Sequence, residues 1–130
     1  MNIGVAARAS GLSTKTVRYY AEIGLVAPAT RHSNGYREYA DTEIRKLRFV
    51  RKARAFGFSV DECRELLDLY EDRERASADV KRIALEKIEA LDAKLHELRT
   101  LRNELSTLAE TCSGDERPDC PILDNLAHTT

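Results

Sequence analysis

Residues 10–24 read S-G-L-S-T-K-T-V-R-Y-Y-A-E-I-G, and this stretch predicts a turn followed by an amphipathic helix. Gly11 interrupts the preceding segment, and Ser13 is a favourable N-cap for a helix that begins at Thr14. Upstream, Asn2 can cap a short first helix that ends at the same glycine. Two short helices joined by a tight turn that contains Gly are typical of the helix-turn-helix motif.

The segment after this motif predicts a small β-hairpin, or wing. Asn34-Gly35 is a strong hairpin signal, because both turn positions require positive φ. The hairpin would carry Arg31, Tyr36 and Arg37 at or near its tip. Cations and aromatic hydroxyls on a helix and a wing suit contacts with DNA phosphates and base edges. The residues expected to contact DNA are Lys15, Thr16, Arg18, Tyr19, Tyr20, Arg31, Tyr36, Arg37 and Arg54.

Two further helices are predicted beyond the wing. A third helix opens at Asp41 or Thr42 and stops at Gly57, and Ser59 opens a fourth. The third helix bears a basic ridge, which either contacts nucleic acid or is only a solvated face: Arg48, Arg51, Lys52 and Arg54. Tyr20 and Tyr39 also have two interpretations, since either could be a buried aromatic residue of the core.

Charge divides the chain into two unlike halves. Residues 1–60 carry eleven Lys and Arg against four Asp and Glu, which leaves +7. Residues 61–130 carry ten against eighteen, which leaves −8 and gives the chain its net charge of −1. A basic half beside an acidic half indicates a polyanion-binding module joined to one that does not bind polyanions.

A long helix is predicted from Ser77 to about Glu110, because this range contains neither Gly nor Pro. Its length would be roughly 50 Å at 1.5 Å per residue. Apolar residues recur along it at heptad spacing, which is typical of a coiled coil. A chain this small cannot bury such a stripe itself, so we expect an antiparallel or parallel partner helix from a second subunit. A long helix folded back on its own domain is the less favoured alternative.

Composition excludes several classes of protein. Hydrophobic residues make up 42% of the chain and charged residues 33%, with six Gly and three Pro, which favours a soluble, mainly helical protein. Neither a signal peptide nor an apolar run of membrane-spanning length is present, so no membrane association is expected. Three cysteines, an odd number, indicate reduced thiols and a cytoplasmic location. No catalytic arrangement is recognisable, and we expect no enzymatic activity.

Cys112 and Cys120 lie in a loop-like tail, separated by seven residues. They are metal ligands, a redox pair or incidental small residues. Two thiolates are too few for zinc, whereas the soft ions Cu(I), Ag(I) and Au(I) accept two sulfur ligands. A disulfide switch is the serious alternative, although cytosolic disulfides are rare. Cys63 falls on an apolar helical stripe and is predicted to be a buried small residue.

Several motifs resemble those of the MerR family of regulators. They are Val17-Arg18-Tyr19-Tyr20, Gly24-Leu25, the wing Asn34-Gly35-Tyr36-Arg37 and Arg54-x-x-Gly57-Phe58. Ala109-x-x-Cys112-x-Gly114-Asp115 and Asp119-Cys120-Pro121-Ile122 resemble the tail of the copper-responsive branch, called CueR or HmrR. The similarity covers essentially the whole chain. It implies a winged helix-turn-helix DNA-binding domain over residues 1–70, a linker and antiparallel dimerisation helix over 71–110, and a metal-binding loop with a short helix over 111–130.

The resemblance also implies residue roles. Cys112 and Cys120 would be Cu(I) ligands, and Ser77 of the partner's dimerisation helix would lie over the metal loop. The zinc and mercury branches have cysteine at that position, so serine here favours a +1 ion. Ser77 would also suit the role of an N-cap. Lys81 resembles the residue that helps neutralise the dithiolate–metal unit.

The function implied by the resemblance is activation of copper-resistance or efflux genes. The metal-bound homodimer would distort promoter DNA so that RNA polymerase engages both promoter elements. Two alternatives remain at this point: a thiol-redox regulator of the same fold, and a coiled-coil adaptor that senses nothing.

Overall fold

The computed structural model describes residues 1–32, 35, 37–116 and 118–128, without the side chain of Arg31. The described elements, in chain order, are α1 (Ile3–Ser10), α2 (Thr14–Glu22), β1 (Thr30–Arg31), β2 (Arg37–Glu38), α3 (Asp41–Ala55), α4 (Val60–Glu71), α5 (Ser77–Thr111) and α6 (Pro121–Ala127). The chain divides into two compact units, residues 1–80 and 81–130. The prediction of a mainly helical fold is confirmed.

The helix-turn-helix begins with two side-chain caps. The Asn2 side chain accepts a hydrogen bond from the backbone N–H of Val5 at 2.9 Å, and Ser13 Oγ accepts one from Thr16 N–H at 3.0 Å. Each cap satisfies a helical N–H group that has no partner within its own helix. The predicted starts of α1 and α2 are therefore confirmed.

The turn between α1 and α2 depends on Gly11. Its φ is 75°, in the left-handed region that favours glycine, and its N–H bonds to Arg8 O. A Cβ at this position would lie 2.9 Å from Cζ of Arg51. Glycine is favoured here by its backbone conformation, since the guanidinium is the end of an exposed, flexible side chain that could move aside.

The hydrophobic core of residues 1–80 holds α2 in place. Val17 of α2 is fully buried, as are Leu47 and Val50 of α3 and Cys63 of α4. Full burial of each large aliphatic side chain contributes about 1.5–3 kcal/mol. Ile44, Leu47, Val50 and Ala53 recur at helical spacing along α3, and all four are buried.

The wing is a two-stranded antiparallel sheet in which Thr30 pairs with Glu38 and Arg31 with Arg37. Gly35 lies between the strands with a φ of 86°, as the predicted turn requires. Ser33, Asn34 and Tyr36 lie outside the described residues. The chain terminus holds the base of the hairpin: the Met1 amino group donates to Tyr39 O at 2.8 Å, and Tyr39 N–H donates to Met1 O at 2.6 Å.

Side chains also tie α3 and α4 to the rest of the first unit. Arg64 of α4 donates to the carbonyl oxygens of Ile23 and Gly24, both at 3.2 Å. Lys46 of α3 and Glu71 of α4 form an ion pair at 2.6 Å. Arg64 thus holds α4 to the segment at the end of α2, and the ion pair holds α4 to α3.

Helix α5 runs without interruption for 35 residues, close to the predicted bounds. Its apolar side chains are largely exposed within the chain: Leu85, Ile88, Leu91, Leu95, Leu98, Leu101 and Leu105. No helix in the described part of the chain has both the length and the apolar character needed to cross a bilayer.

The start of α4 provides a test of local stability. Ser59 Oγ accepts from Glu62 N–H at 3.1 Å, and Ser59 N–H donates to Glu62 Oε1 at 2.8 Å, which is a reciprocal capping box. We expect Ser59→Ala to lower the free energy of unfolding by about 1 kcal/mol, because one helix N–H loses its partner. Urea denaturation measures the change. Ser113→Ala, at an exposed loop position, is the control, and equal effects of both substitutions would contradict this role for the cap.

Candidate DNA-binding surface and thiol loop

Helix α2 presents its predicted contact residues unequally. Lys15, Arg18 and Tyr19 are exposed, with Tyr19 at 50%. Thr16 is half-buried, and its Oγ1 accepts a hydrogen bond from the Ser13 hydroxyl at 2.8 Å. Two cations and a phenol on the exposed face of α2 are therefore available to a ligand, while Val17 on the other face is buried.

Tyr20, also expected to contact DNA, lies in the core and is only 6% exposed. Its ring centroid is 6.0 Å from that of Tyr19. Tyr20 therefore packs in the core beside the exposed ring of Tyr19. Any contact between Tyr20 and DNA would be confined to the small exposed part of its side chain.

The wing contributes Arg37, which is half-buried. Its Nε is buried and has no hydrogen-bond acceptor among the described residues. Beside it on β2, Glu38 lies 3.5 Å from His32 Nε2. Tyr36 and the side chain of Arg31, both predicted to contact DNA, lie outside the described parts of the structure.

Arg54, the last predicted DNA-contacting residue, has a structural partner. Its Nη1 donates to Phe58 O at 2.9 Å, across the turn between α3 and α4. This bond holds the turn that leads into the Ser59 cap. Arg54 is exposed, and its contact with DNA stays a prediction.

The two tail cysteines flank a loop between α5 and α6. Cys112 directly follows the end of α5, and its N–H donates to Ala109 O at 3.3 Å. Cys120 directly precedes α6, and its carbonyl accepts from Asp124 N–H at 3.0 Å. Both thiols are free and half-buried. The backbone of each cysteine is thus tied to the end of a helix, and Gly114 lies between them with a φ of 68°.

The donors available near this loop are few. Among the described residues, no three His, Cys, Asp or Glu side chains form a group able to hold a metal ion. Any metal in this loop would therefore depend on the two cysteines or on ligands from a second molecule. The donor set fits a thiophilic ion that accepts two sulfurs.

Cys63 differs from the two tail cysteines in its burial. It is fully buried, and this burial raises the pKa of its thiol, against a smaller lowering by nearby Arg54. The prediction that it is a buried small residue is confirmed. A thiol held protonated and without solvent access is a poor metal ligand.

Ser77 and Lys81 occupy the first turns of α5, and both are exposed. Residues four apart in a helix share one face. Their predicted relation to the thiol loop involves a second subunit and stays a prediction.

Arg48 and Arg64 have structural roles that no local sequence pattern indicates. Arg48 Nε donates to Ala9 O at 3.0 Å, and Arg64 holds the end of α2. The three bonds that these arginines make join positions 39, 40 and 41 residues apart in sequence. Local sequence patterns do not report contacts at such distances.

Comparison with known proteins agrees with this architecture. The family model described as "MerR HTH family regulatory protein" matches residues 1–70, and the model "MerR, DNA binding" matches residues 44–108. The HTH-type transcriptional regulator HmrR of Rhizobium leguminosarum bv. viciae is 55% identical over 127 residues, covering 98% of each chain. The HTH-type transcriptional regulator CueR of Salmonella typhimurium (strain LT2) is 46% identical over 127 residues, covering 98% of this chain and 92% of that protein.

One solved structure extends the likeness to the whole fold. The transcription regulator PbrR691 from Ralstonia metallidurans CH34, in complex with lead(II), matches with a TM-score of 0.82 at 33% identity. The match covers 98% of this chain and 99% of that one. These relatives are transcription regulators, which confirms that the chain is not an enzyme. The chain belongs to the MerR family of helix-turn-helix transcription regulators.

Proposed function

We propose that this chain is a metal-responsive, homodimeric transcription activator whose inducer is Cu(I), or the related ions Ag(I) and Au(I), bound by Cys112 and Cys120. The observation that carries the proposal is the pair of free, half-buried thiols at the two ends of one loop. The similarity to HmrR, CueR and lead(II)-bound PbrR691 supports a thiophilic metal as the signal.

A monovalent soft ion fits this donor set best. Zinc usually requires four ligands, and a group of three donors is not found in the described chain. Two thiolates and a +1 ion carry a net charge of −1, which a nearby cation would offset. We assign this role to Lys81, and we assign Ser77 to the position over the loop, both on α5 of the partner subunit.

Binding of DNA is proposed for α2 and the wing. The exposed Lys15, Arg18 and Tyr19 would enter the major groove, where long side chains reach base edges. Arg31, Tyr36 and Arg37 of the wing would contact phosphates, together with Thr16 and Arg54. Phosphate contacts supply much of the affinity for DNA and make it dependent on salt.

Dimerisation is proposed through residues 78–109. Leu91, Leu95 and Leu98 are 40%, 58% and 53% exposed, an arrangement that costs solvation free energy in an isolated chain. A partner helix at heptad spacing would cover this stripe. The family resemblance favours the antiparallel arrangement.

The activation step follows from these assignments. The dimer would bind an overlong promoter spacer in both states, and metal binding would distort the DNA so that RNA polymerase engages both promoter elements. This mechanism requires a cytoplasmic location, where thiols stay reduced and the promoter is accessible.

A second candidate is a thiol-redox regulator, which the two free thiols in a single loop also support. Titrating the reduced protein with Cu(I) and with Zn(II), and measuring bound metal per subunit, separates the two. Metal sensing predicts tight Cu(I) binding and weak Zn(II) binding. A redox switch predicts induction by oxidant without metal.

The DNA-binding assignment predicts that Arg18→Ala and Tyr36→Ala each weaken promoter binding, by about 1–3 kcal/mol where a base contact is lost. Metal binding and the dimer should stay intact, because both lie outside residues 1–60. Gel-shift titration measures the affinity, with Arg73→Ala as the control in the exposed segment between α4 and α5. Unchanged affinity in both variants would contradict the assignment.

The dimer assignment predicts that Leu91→Glu combined with Leu98→Glu yields monomers or unfolded chain, because two charges would enter the apolar seam. Ala93→Glu combined with Thr100→Glu adds the same charges at the same seven-residue spacing but away from the stripe. Sedimentation should find that this control remains a dimer. If the leucine variant also remained a stable dimer, the seam would lie elsewhere.

The metal-site assignment predicts that Cys112→Ser or Cys120→Ser abolishes induction by Cu(I) while promoter binding persists. A site left with one thiolate loses most of its affinity and selectivity for a soft ion. Cys63→Ala removes a thiol from the core and should leave the induction by metal in place. Ser77→Cys should raise the response to Zn(II), because it adds a third sulfur. Promoter activity across Cu(I) and Zn(II) series measures all four, and a full copper response in Cys112→Ser would locate the sensor elsewhere.

A further inference from the structure

Four cations surround the turn at Gly11 on the side of α1 and α3. Arg8 belongs to the last turn of α1, and the other three are α3 residues. Their side chains line an open cavity of about 650 Å³, which is otherwise walled by small residues. We call Arg8, Arg48, Arg51 and Lys52 the α1–α3 basic cluster.

None of the four cations forms a salt bridge within the described part of the chain, whereas Lys46 and Arg82 do. All four are exposed. Only Arg48 has a hydrogen-bond role in holding the fold, through its Nε and Ala9 O. Four positive charges are thus held close together without an internal counter-charge, and an external polyanion would relieve their repulsion.

The negative ends of two helix dipoles offset part of this positive charge, but not most of it. The C-termini of α1 and α3 both border the cavity, at Ser10 and Ala55. Each C-terminus is equivalent to about −0.5 charge, so the two together offset roughly one of the four positive charges. A net charge of about +3 remains at the surface of the cluster.

We infer that the α1–α3 basic cluster binds the phosphate backbone of DNA, outside the bases that α2 reaches. It lies beside the turn that leads into α2, and Ser13, the cap of that helix, is only two residues after Gly11. Three of the four cations are arginines, whose planar guanidinium groups bind phosphate through paired hydrogen bonds. The inference rests on the proposed binding of α2 to DNA, and it extends the footprint of each subunit.

The experiment measures the salt dependence of binding to a random-sequence duplex, so that no operator is required. Arg51→Gln combined with Lys52→Gln removes two cluster cations and spares the Arg48 bond to α1. The slope of log affinity against log salt should decrease by about 1.8, or 0.9 for each lost phosphate contact. Lys52→Gln alone should decrease the slope by about half as much, and it keeps the test valid if the double variant is unstable.

Two further pairs of substitutions serve as controls for this measurement. Arg73→Gln with Lys94→Gln removes the same charge from exposed positions outside the cluster and should leave the slope unchanged. Lys15→Gln with Arg18→Gln tests α2 itself. If only this α2 pair lowers the slope, the inference about the cluster is wrong while the proposed DNA surface stands. If neither the α2 pair nor the cluster pair lowers it, the proposed DNA surface is wrong as well. A cluster variant that binds DNA normally but loses binding to polyglutamate would indicate an acidic protein partner and overturn the inference.

Discussion

The left-handed turn at Gly11 is the constraint on which the helix-turn-helix depends. Gly11 adopts a φ of 75°, and the Arg51 guanidinium occupies the space that a side chain would need. Arg48 reaches the same turn through Ala9 O. The end of α1 is thus joined to α3 by a hydrogen bond and is followed by a turn whose backbone conformation favours glycine. The chain passes through this turn directly before it enters α2, the helix that exposes Arg18 and Tyr19.

Local signals made much of the first unit predictable. Asn2, Ser13 and Ser59 were identified as helix caps because their short polar side chains satisfy N–H groups within three residues. Each of them makes the expected bond. The buried positions of α3 followed from their helical spacing in the same way.

What sequence could not reveal were contacts between distant positions. The bonds of Arg48 and Arg64 to helix-end carbonyls connect segments about 40 residues apart and have no local signature. Tyr20 shows a similar limit: it belongs to both the apolar and the DNA-contacting patterns of α2, and only packing places it in the core. For the thiol loop, the seven-residue spacing of Cys112 and Cys120 indicates a soft metal. The distance between the two sulfurs cannot be predicted from that spacing, because it depends on what the loop binds. The roles of Ser77 and Lys81 need a second subunit, which one chain's sequence does not position.

In the proposed mechanism, α5 is the connection between the DNA-binding unit and the thiol loop. It spans 35 residues without Gly or Pro, a length of roughly 50 Å. Sharp kinks in helices occur mostly at Pro or Gly, which α5 lacks, so in this mechanism a change at its C-terminal end would move the whole helix more readily than bend it at one point. The dimer seam would be the surface along which this displacement is shared by the two subunits.

The distribution of the core has a consequence for how such regulators diversify. Of the buried apolar residues in the described chain, all but Ile83 lie within residues 1–80. The loop between Cys112 and Cys120 contributes none of them, and α6 leaves Leu123 and Leu126 exposed within the chain. Within one chain, substitutions in this loop therefore remove little buried surface, so changes can accumulate in the tail at less cost in folding than among the core positions of residues 1–80.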